Sequence, residues 1–188
     1  MTVFLPKQLS RRCARAAFST TLGAAAGLGA LALAFSTQAH AQTVVLKEGP
    51  VWSAYQHQGE PAQICFVAAK PGDTLPKNVR RGPIQFYVSA WPKDGVKAEV
   101  SVVIGYPFRP GSDVTVQIDG ATFTLFTDKD KAFVEDPTKE LKLIEAMRKG
   151  SQMVVKGRSS RGTLTTDTYS LTGVSAALDA VNTSCNKA

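Results

Sequence analysis

The chain has 188 residues and a formal net charge of +7, from 22 Lys and Arg against 15 Asp and Glu. This length suits one ordinary domain. Residues 1–41 have the layout of a targeting segment; without them the chain loses four basic and no acidic residues, and its net charge falls to +3. A net charge of this size aids solubility and does not indicate nucleic-acid binding.

The first 41 residues predict a secretory signal peptide. No charge occurs from Phe18 to Phe35, and small residues, Ala39 and Ala41, stand at the −3 and −1 positions before Gln42. The preceding positive region has no acidic residue and contains Lys7, Arg11, Arg12 and Arg15. We therefore expect cleavage near Ala41-Gln42 and export to the periplasm, the cell envelope or the outside.

Two alternatives remain for this segment. The uncharged stretch from Ala16 to Ala39 is long enough for a membrane anchor, but its apolar centre, Leu22 to Phe35, falls short of the roughly 20 residues that a spanning helix needs. We therefore expect no transmembrane segment after cleavage. Ser10-Arg11-Arg12 leaves twin-arginine export open beside the general secretory route.

Strand patterns dominate residues 42–188. Apolar and polar residues alternate from Ile84 to Trp91 and again from Val100 to Ile104, with the period of two that half-buries a strand. Further strands are predicted at Val51–Gln56, Gln63–Ala69, Ala132–Glu135, Gln152–Lys156 and Thr163–Ser170. Tyr87 and Trp91 fall on the opposite face from Phe86, where they would line a second core or an exposed patch.

The clearest local prediction is a β-hairpin closed by Asp119-Gly120. A two-residue Asp-Gly connection favours a type I′ turn, in which both central residues have positive φ. The resulting register places three cross-strand pairs on one face. They are Val114 with Leu125, Val116 with Phe123, and Ile118 with Ala121.

Two short helices interrupt the strands. Asp136 is a suitable N-cap before Pro137, and Gly150 ends the first helix. Its apolar stripe consists of Leu141, Ile144 and Met147. The second helix follows Thr172, and its apolar stripe consists of Val174, Ala177, Leu178 and Val181.

Residues 42–188 thus predict a mainly β single domain, a β-sandwich or barrel-like fold with two short accessory helices. Its two cysteines, Cys65 and Cys185, are an even count in an exported domain and predict a disulfide. The bridge would hold the second helix against the sheet.

The search for chemistry is mostly negative, so we expect no enzyme, no cofactor and no metal. His57 is the one histidine after residue 41, in a polar segment that we expect to be a turn. Asp128-Lys129-Asp130 resembles the start of a calcium loop, but Phe133 stands where such a loop needs Gly. Asp128, Asp130, Glu135 and Asp136 could form a carboxylate pair, although acids beside a helix start are favoured by capping.

Two features suggest contact with a partner. Tyr106, Phe108 and Arg109 lie between prolines and form a candidate binding loop, unless the two rings fold inward to cap the core. One candidate basic patch contains Arg148, Lys149, Lys156, Arg158 and Arg161. Another basic cluster contains Lys77, Arg80 and Arg81. If these residues share one side, they would meet an anionic glycan, a lipid headgroup or a phosphate; the alternative is an ordinary solvated charged face.

Several segments together resemble the invasion-associated locus B family of exported proteins. The resemblance runs from about Trp52 to Cys185 and includes Glu99–Phe108, Gly111-Ser112-Asp113, Glu145–Ser151 and Thr165–Leu171. It implies a small periplasmic or envelope-associated β protein and brings no catalytic residues with it.

Three functions follow as hypotheses. The first is a binding module for an unknown envelope or host-surface component, with no nucleic-acid partner. The second is a structural or chaperone-like envelope protein with an exposed sheet edge. The third is a hydrolase that acts through paired carboxylates.

Overall fold

The structure is a computed structural model that describes residues 42–59 and 63–185. The predicted signal peptide lies outside the described residues. Within them the chain forms eleven strands and two α-helices. The strands are β1 (Gln42–Lys47), β2 (Ser53–Gln58), β3 (Ile64–Ala69), β4 (Asp73–Leu75), β5 (Gln85–Trp91), β6 (Val96–Val103), β7 (Val114–Ile118), β8 (Ala121–Asp128), β9 (Lys131–Phe133), β10 (Gln152–Arg158) and β11 (Leu164–Ser170). The helices are α1 (Pro137–Lys149) and α2 (Val174–Cys185).

All neighbouring strands are antiparallel, in the order β1-β2-β3-β5-β6-β9-β8-β7-β10-β11-β4. Strand β8 belongs to both halves of this sheet, because its first part pairs with β7 and its last part with β9. Strands β1 and β4 lie at the two ends of the order, so the sheet is not a closed barrel. The prediction of a mainly β fold with two helices is confirmed.

An aromatic cluster joins the two halves of the sheet across the core. Phe86 on β5 packs edge-on against Tyr169 on β11, with ring centroids 6.0 Å apart. Trp52 contacts both rings, and its indole N–H donates to the Ser170 carbonyl oxygen over 2.8 Å. All three aromatic side chains are fully buried, so they form the centre of the interior.

The predicted alternation on β5 is confirmed, since Phe86, Val88 and Ala90 are buried. The opposite face of the sheet carries a row of half-buried aromatic rings. Tyr87 contacts Phe66 there, and Phe66 stacks on Tyr55 with centroids 5.2 Å apart. The position of Tyr87 is thus an outer face, not a second core.

The Asp119-Gly120 hairpin is confirmed in turn and register. Asp119 and Gly120 have φ values of 43° and 94°. The three predicted pairs, Val114 with Leu125, Val116 with Phe123 and Ile118 with Ala121, are the observed Cα partners.

Helix α1 begins and ends as predicted but buries a different face. The Asp136 carboxylate accepts from the backbone N–H groups of Thr138 and Lys139, as an N-cap does. An apolar stripe ordinarily faces the core, but of the predicted stripe Met147 is buried whereas Leu141 is 63% exposed. The buried residues of α1 are instead Glu140, Leu143 and Met147.

Glu140 explains this rotation of α1. Strand β9 pairs with β6 only from Ser101 onward, so the Val100 N–H has no strand partner on that side. The Glu140 carboxylate accepts from it over 2.6 Å. A buried N–H without a partner is costly, so this bond fixes which face of α1 is turned inward.

Helix α2 buries its predicted stripe, Val174, Ala177, Leu178 and Val181. The Cys65–Cys185 disulfide is confirmed, with 6.1 Å between the Cα atoms. It ties the last residue of α2 to β3.

Strands β1 and β4 were not predicted. The expectation that His57 lies in a turn was also wrong, because it lies within β2 and its Nδ1 is 2.9 Å from the Thr43 hydroxyl on β1. Strand β2 extends past Gln56 because its last residues pair with β1. The sequence of residues 53–58 alone does not indicate this partner.

Candidate functional site

Three irregular segments meet at one end of the sheet. They are residues 76–84 before β5, residues 104–113 after β6, and residues 159–163 between β10 and β11. Backbone hydrogen bonds join them, from Gly82 N to Gly105 O at 2.8 Å and from Ser160 N to Pro107 O at 2.9 Å. Together they enclose a cleft of about 690 Å³, which we call the arginine cleft.

Gly105 allows the first two segments to come this close. Gly105 has a φ of +76°, a conformation that favours glycine. A Cβ on Gly105 would lie 2.5 Å from the Gly82 carbonyl oxygen, so any side chain would push the two segments apart.

A buried ion pair forms the base of the arginine cleft. The Arg81 guanidinium donates to both carboxylate oxygens of Asp167, over 2.5 and 2.6 Å. Its Nε also donates to the Ile104 carbonyl oxygen at 2.9 Å. The Arg81 side chain is 6% exposed and that of Asp167 is 1% exposed, so both charges are neutralised inside the protein.

Tyr106 lies over this ion pair. The Arg81 guanidinium carbon is 5.3 Å from the centre of the Tyr106 ring, within the range of a cation–π contact. The Tyr106 hydroxyl donates to the Gly157 carbonyl oxygen and lies 2.6 Å from the Thr165 hydroxyl. Burial raises the pKa of Tyr106, so the phenol stays protonated and acts as a donor.

The structure separates the residues of the predicted binding loop. Phe108 is 5% exposed and packs in the core, and Tyr106 is half-buried. Both rings therefore follow the inward-folding alternative. Only Arg109 is exposed, and it does not line the arginine cleft.

The predicted basic patch does not form one cluster. Arg148 and Lys149 end α1, next to the start of β10, whereas Arg158 ends β10 roughly 20 Å away. Arg148 pairs with Asp179 at 2.8 Å, and Lys149 pairs with Glu145 at 3.0 Å. Lys156 lies along β10, and Arg158 donates to the Gly162 carbonyl oxygen.

The arginine cleft brings together exposed arginines from both predicted basic clusters, in addition to the buried Arg81. Arg161 belongs to the patch, and Arg80 belongs to the cluster with Lys77 and Arg81. Both are exposed, and within the described part of the chain neither forms an ion pair. Lys77, by contrast, pairs with Asp73. Ser159, Ser160 and Thr163 also line the cleft.

This arrangement suits an anionic group. Arginine presents a planar set of donors that matches a carboxylate or phosphate, and two such side chains face one cavity. The buried Arg81–Asp167 pair gives them a fixed base. No acidic residue is among the described residues that line the cleft, since Asp167 lies behind it.

Sequence reasoning missed Asp167 and Thr165, which hold the base of the cleft. A signal was present, because both stand at the inward-facing positions of β11, in register with buried Tyr169. A charge at an inward position of a strand indicates a buried partner of opposite sign.

The four acids considered for a carboxylate pair lie elsewhere. Asp136 caps α1, and hydrogen bonds from Thr138 and Lys139 lower its pKa. Asp128 ends β8, and Asp130 lies in the turn that follows. Across residues 42–59 and 63–185, no group of three or more His, Cys, Asp or Glu residues is placed to hold a metal ion.

Neither described helix combines the length and the apolar character needed to cross a membrane. The family model described as "Invasion associated locus B (IalB) protein" matches residues 52–182, more than half of the chain and the whole arginine cleft. No curated protein and no solved structure matches the chain.

Proposed function

Because the chain belongs to the invasion associated locus B family, we propose that it is an exported, non-enzymatic binding protein of the cell envelope. Its ligand would be an envelope or host-surface component that places an anionic group in the arginine cleft. The layout of residues 1–41 supports export. The Cys65–Cys185 disulfide supports an oxidising compartment, where such bonds form and persist.

One observation carries the binding role: Arg80 and Arg161 line a single cavity without an ion partner in the described residues. By contrast, Arg81 at the base of the cleft and Arg148, Lys77 and Lys149 outside it each have an acidic partner. Two unneutralised guanidinium groups repel each other, and a bound anion relieves that repulsion. The ligand would therefore carry a carboxylate, phosphate or sulfate.

The lining of the cleft favours binding over catalysis. The lining residues that carry a hydroxyl group are Tyr106, Ser159, Ser160, Thr163 and Thr165. A nucleophilic hydroxyl needs a base within hydrogen-bond reach. Neither a histidine nor a carboxylate is among the described lining residues. The cleft would therefore hold an anion without activating an attack on it.

The test is a titration of the processed, oxidised protein with a phosphorylated sugar and with the same sugar lacking phosphate. We expect binding of the phosphorylated form only. The Arg80→Gln/Arg161→Gln variant should lose at least about tenfold in affinity, since each charge-assisted bond contributes about 1.5–3 kcal/mol. Lys129→Gln/Lys156→Gln removes equal charge outside the cleft and should retain the wild-type affinity.

The proposal fails if both double variants weaken binding equally, because the attraction would then be nonspecific. Arg109→Gln serves as a further arm that tests the predicted binding loop. A loss with Arg109→Gln comparable to the Arg80/Arg161 loss would extend the site beyond the cleft.

A structural or chaperone-like role is a second candidate, and β1 favours it. This strand lies at one end of the sheet, and Val44 and Val45 are 41% and 55% exposed. An uncovered edge offers unpaired backbone groups to an added strand. This role predicts concentration-dependent oligomers in sedimentation that Val45→Lys abolishes; a strict monomer at all concentrations would contradict it.

A further inference from the structure

A second cavity lies at the opposite end of the sheet from the arginine cleft. It has a volume of about 540 Å³ and lies between α1 and α2, over the adjoining ends of β5 and β6. We call it the helix groove. It shares no lining residue with the arginine cleft. Its apolar lining includes Val88, Ala98, Leu141, Ile144, Leu178 and Val181.

The two helical walls of the groove are held in place. Arg148 on α1 donates to the Asp179 carboxylate at 2.8 Å, and the Ser175 hydroxyl on α2 donates back to the Arg148 carbonyl oxygen at 3.3 Å. The Cys65–Cys185 disulfide fixes the other end of α2 to β3. A groove with fixed walls loses little conformational freedom when a ligand enters.

The rim of the groove is positively charged. Lys97 on β6 and Lys142 on α1 line it, and neither has an ion partner in the described part of the chain. The other charges at the rim are neutralised, because Glu145 pairs with Lys149 and Arg148 pairs with Asp179. An apolar lining below two unpaired ammonium groups complements a chain-like ligand with one anionic end.

We propose that the helix groove binds a single fatty acyl chain, with its terminal carboxylate between Lys97 and Lys142. The volume lies within the range of small-molecule sites, and apolar burial would supply most of the affinity. Leu141, next to Lys142, is part of the apolar lining and is also exposed to solvent. This inference is independent of anion binding in the arginine cleft.

Charge complementarity favours this occupant over a second copy of the chain. Residues 42–188 carry a net charge of +3, so another copy would bring like charge toward Lys97 and Lys142. A fatty acid brings the opposite charge and an apolar body in one molecule.

The experiment is a calorimetric titration of the oxidised, processed protein with saturated carboxylates of increasing chain length and with the matching alcohols. Affinity should rise about fourfold per added methylene until the groove is filled. The alcohols should follow the same trend but bind about tenfold more weakly, because they lack the charge. Affinity that does not depend on chain length would overturn the proposal.

Variants locate the site. Lys97→Gln/Lys142→Gln should weaken carboxylate binding about tenfold and leave alcohol binding unchanged, whereas the matched Lys129→Gln/Lys131→Gln variant should alter neither. Ala98→Phe fills the groove and should abolish both. Leu141→Asp, at an exposed position, should weaken both while leaving the free energy of unfolding unchanged, in case Ala98→Phe does not fold.

Two further outcomes are decisive. Arg80→Gln/Arg161→Gln should keep the wild-type increase of affinity with chain length, so failure of the anion proposal would leave this one standing. Sedimentation without ligand should show no dimer that Ala98→Phe disrupts. Such a dimer would make the groove an interface between copies and would overturn the fatty-acid assignment.

Discussion

The two ends of the core are held together by different interactions between distant segments of the chain. At the arginine cleft, Arg81 and Asp167 join segments 86 residues apart through two charge-assisted hydrogen bonds. At the helix groove, Cys65 and Cys185 join segments 120 residues apart through a covalent bond. The ion pair needs both partners and a fixed geometry, so it orients polar groups. The disulfide needs neither solvent exclusion nor charge, so it can hold a helix over an apolar groove.

The buried carboxylates repeat this contrast. Asp167 at the cleft end is neutralised by a guanidinium, whereas Glu140 at the helix end accepts from the Val100 N–H. Burial and the nearby Glu99 raise the pKa of Glu140, although the Val100 hydrogen bond opposes that shift. The cleft end therefore depends on charge pairing, and the helix end on covalent and apolar contacts.

The largest effect should come from breaking the ion pair on one side. Asp167→Asn leaves the buried Arg81 charge without its partner, so the free energy of unfolding should fall by about 3–5 kcal/mol. Urea denaturation measures the loss.

A double variant is the control for that prediction. Arg81→Met/Asp167→Leu removes both charges and should cost less than Asp167→Asn, because no unpaired charge remains buried. If the free energy of unfolding of Asp167→Asn is within about 1 kcal/mol of the wild-type value, water reaches Arg81 and the base of the cleft is not dry.

Removing the disulfide should come next in size. Cys65→Ala/Cys185→Ala should lower the free energy of unfolding by about 2–4 kcal/mol, chiefly because the unfolded chain gains freedom. Hydrogen exchange should locate the remaining effect in α2, while β10 and β11 keep their protection. Equal loss of protection at both ends would show that the core unfolds as one unit and that the contrast between its ends is structural only.

The features that could be predicted from the sequence depend on interactions between residues close together in the chain. The Asp119-Gly120 turn fixed its own register, and the caps Asp136 and Gly150 fixed the limits of α1, because these interactions span a few residues. The stripe on α2 was also predicted, since nothing competes with its apolar face. The disulfide followed from export and an even cysteine count.

What the sequence did not reveal depends on distant partners. Leu141 is exposed because the Val100 N–H, forty residues away, turns Glu140 inward. The arginine cleft was missed because Arg80 and Arg161 meet only through the order of strands. Neither β1 nor β4 has a strong pattern of its own, so each is a strand only because of its neighbour, β2 or β11.

Two tyrosines differ in whether their hydroxyl groups are hydrogen-bonded, and this difference can be tested. The Tyr106 hydroxyl contacts Gly157 and Thr165, so Tyr106→Phe should cost about 1 kcal/mol. The buried Tyr169 hydroxyl has no hydrogen-bond partner among the described residues. Tyr169→Phe should therefore be neutral or slightly stabilising in the same denaturation assay. A loss with Tyr169→Phe equal to that with Tyr106→Phe would indicate a bound water at Tyr169.

The smallest effect should be a pH dependence at the helix end. The folded protein raises the pKa of Glu140 above its ordinary value of 4.5, so protonation of this side chain stabilises the folded state. This contribution to the free energy of unfolding is fully present below pH 4.5. It is lost as pH rises through the folded pKa.

Glu140→Gln keeps an acceptor for the Val100 N–H and removes the charge. The variant should match the wild type at about pH 4 and exceed it slightly at about pH 7. Comparing the two proteins at each pH cancels all other titrating groups. If Glu140→Gln is instead less stable at neutral pH, the ionised carboxylate stabilises α1, and the helix end also depends on charge.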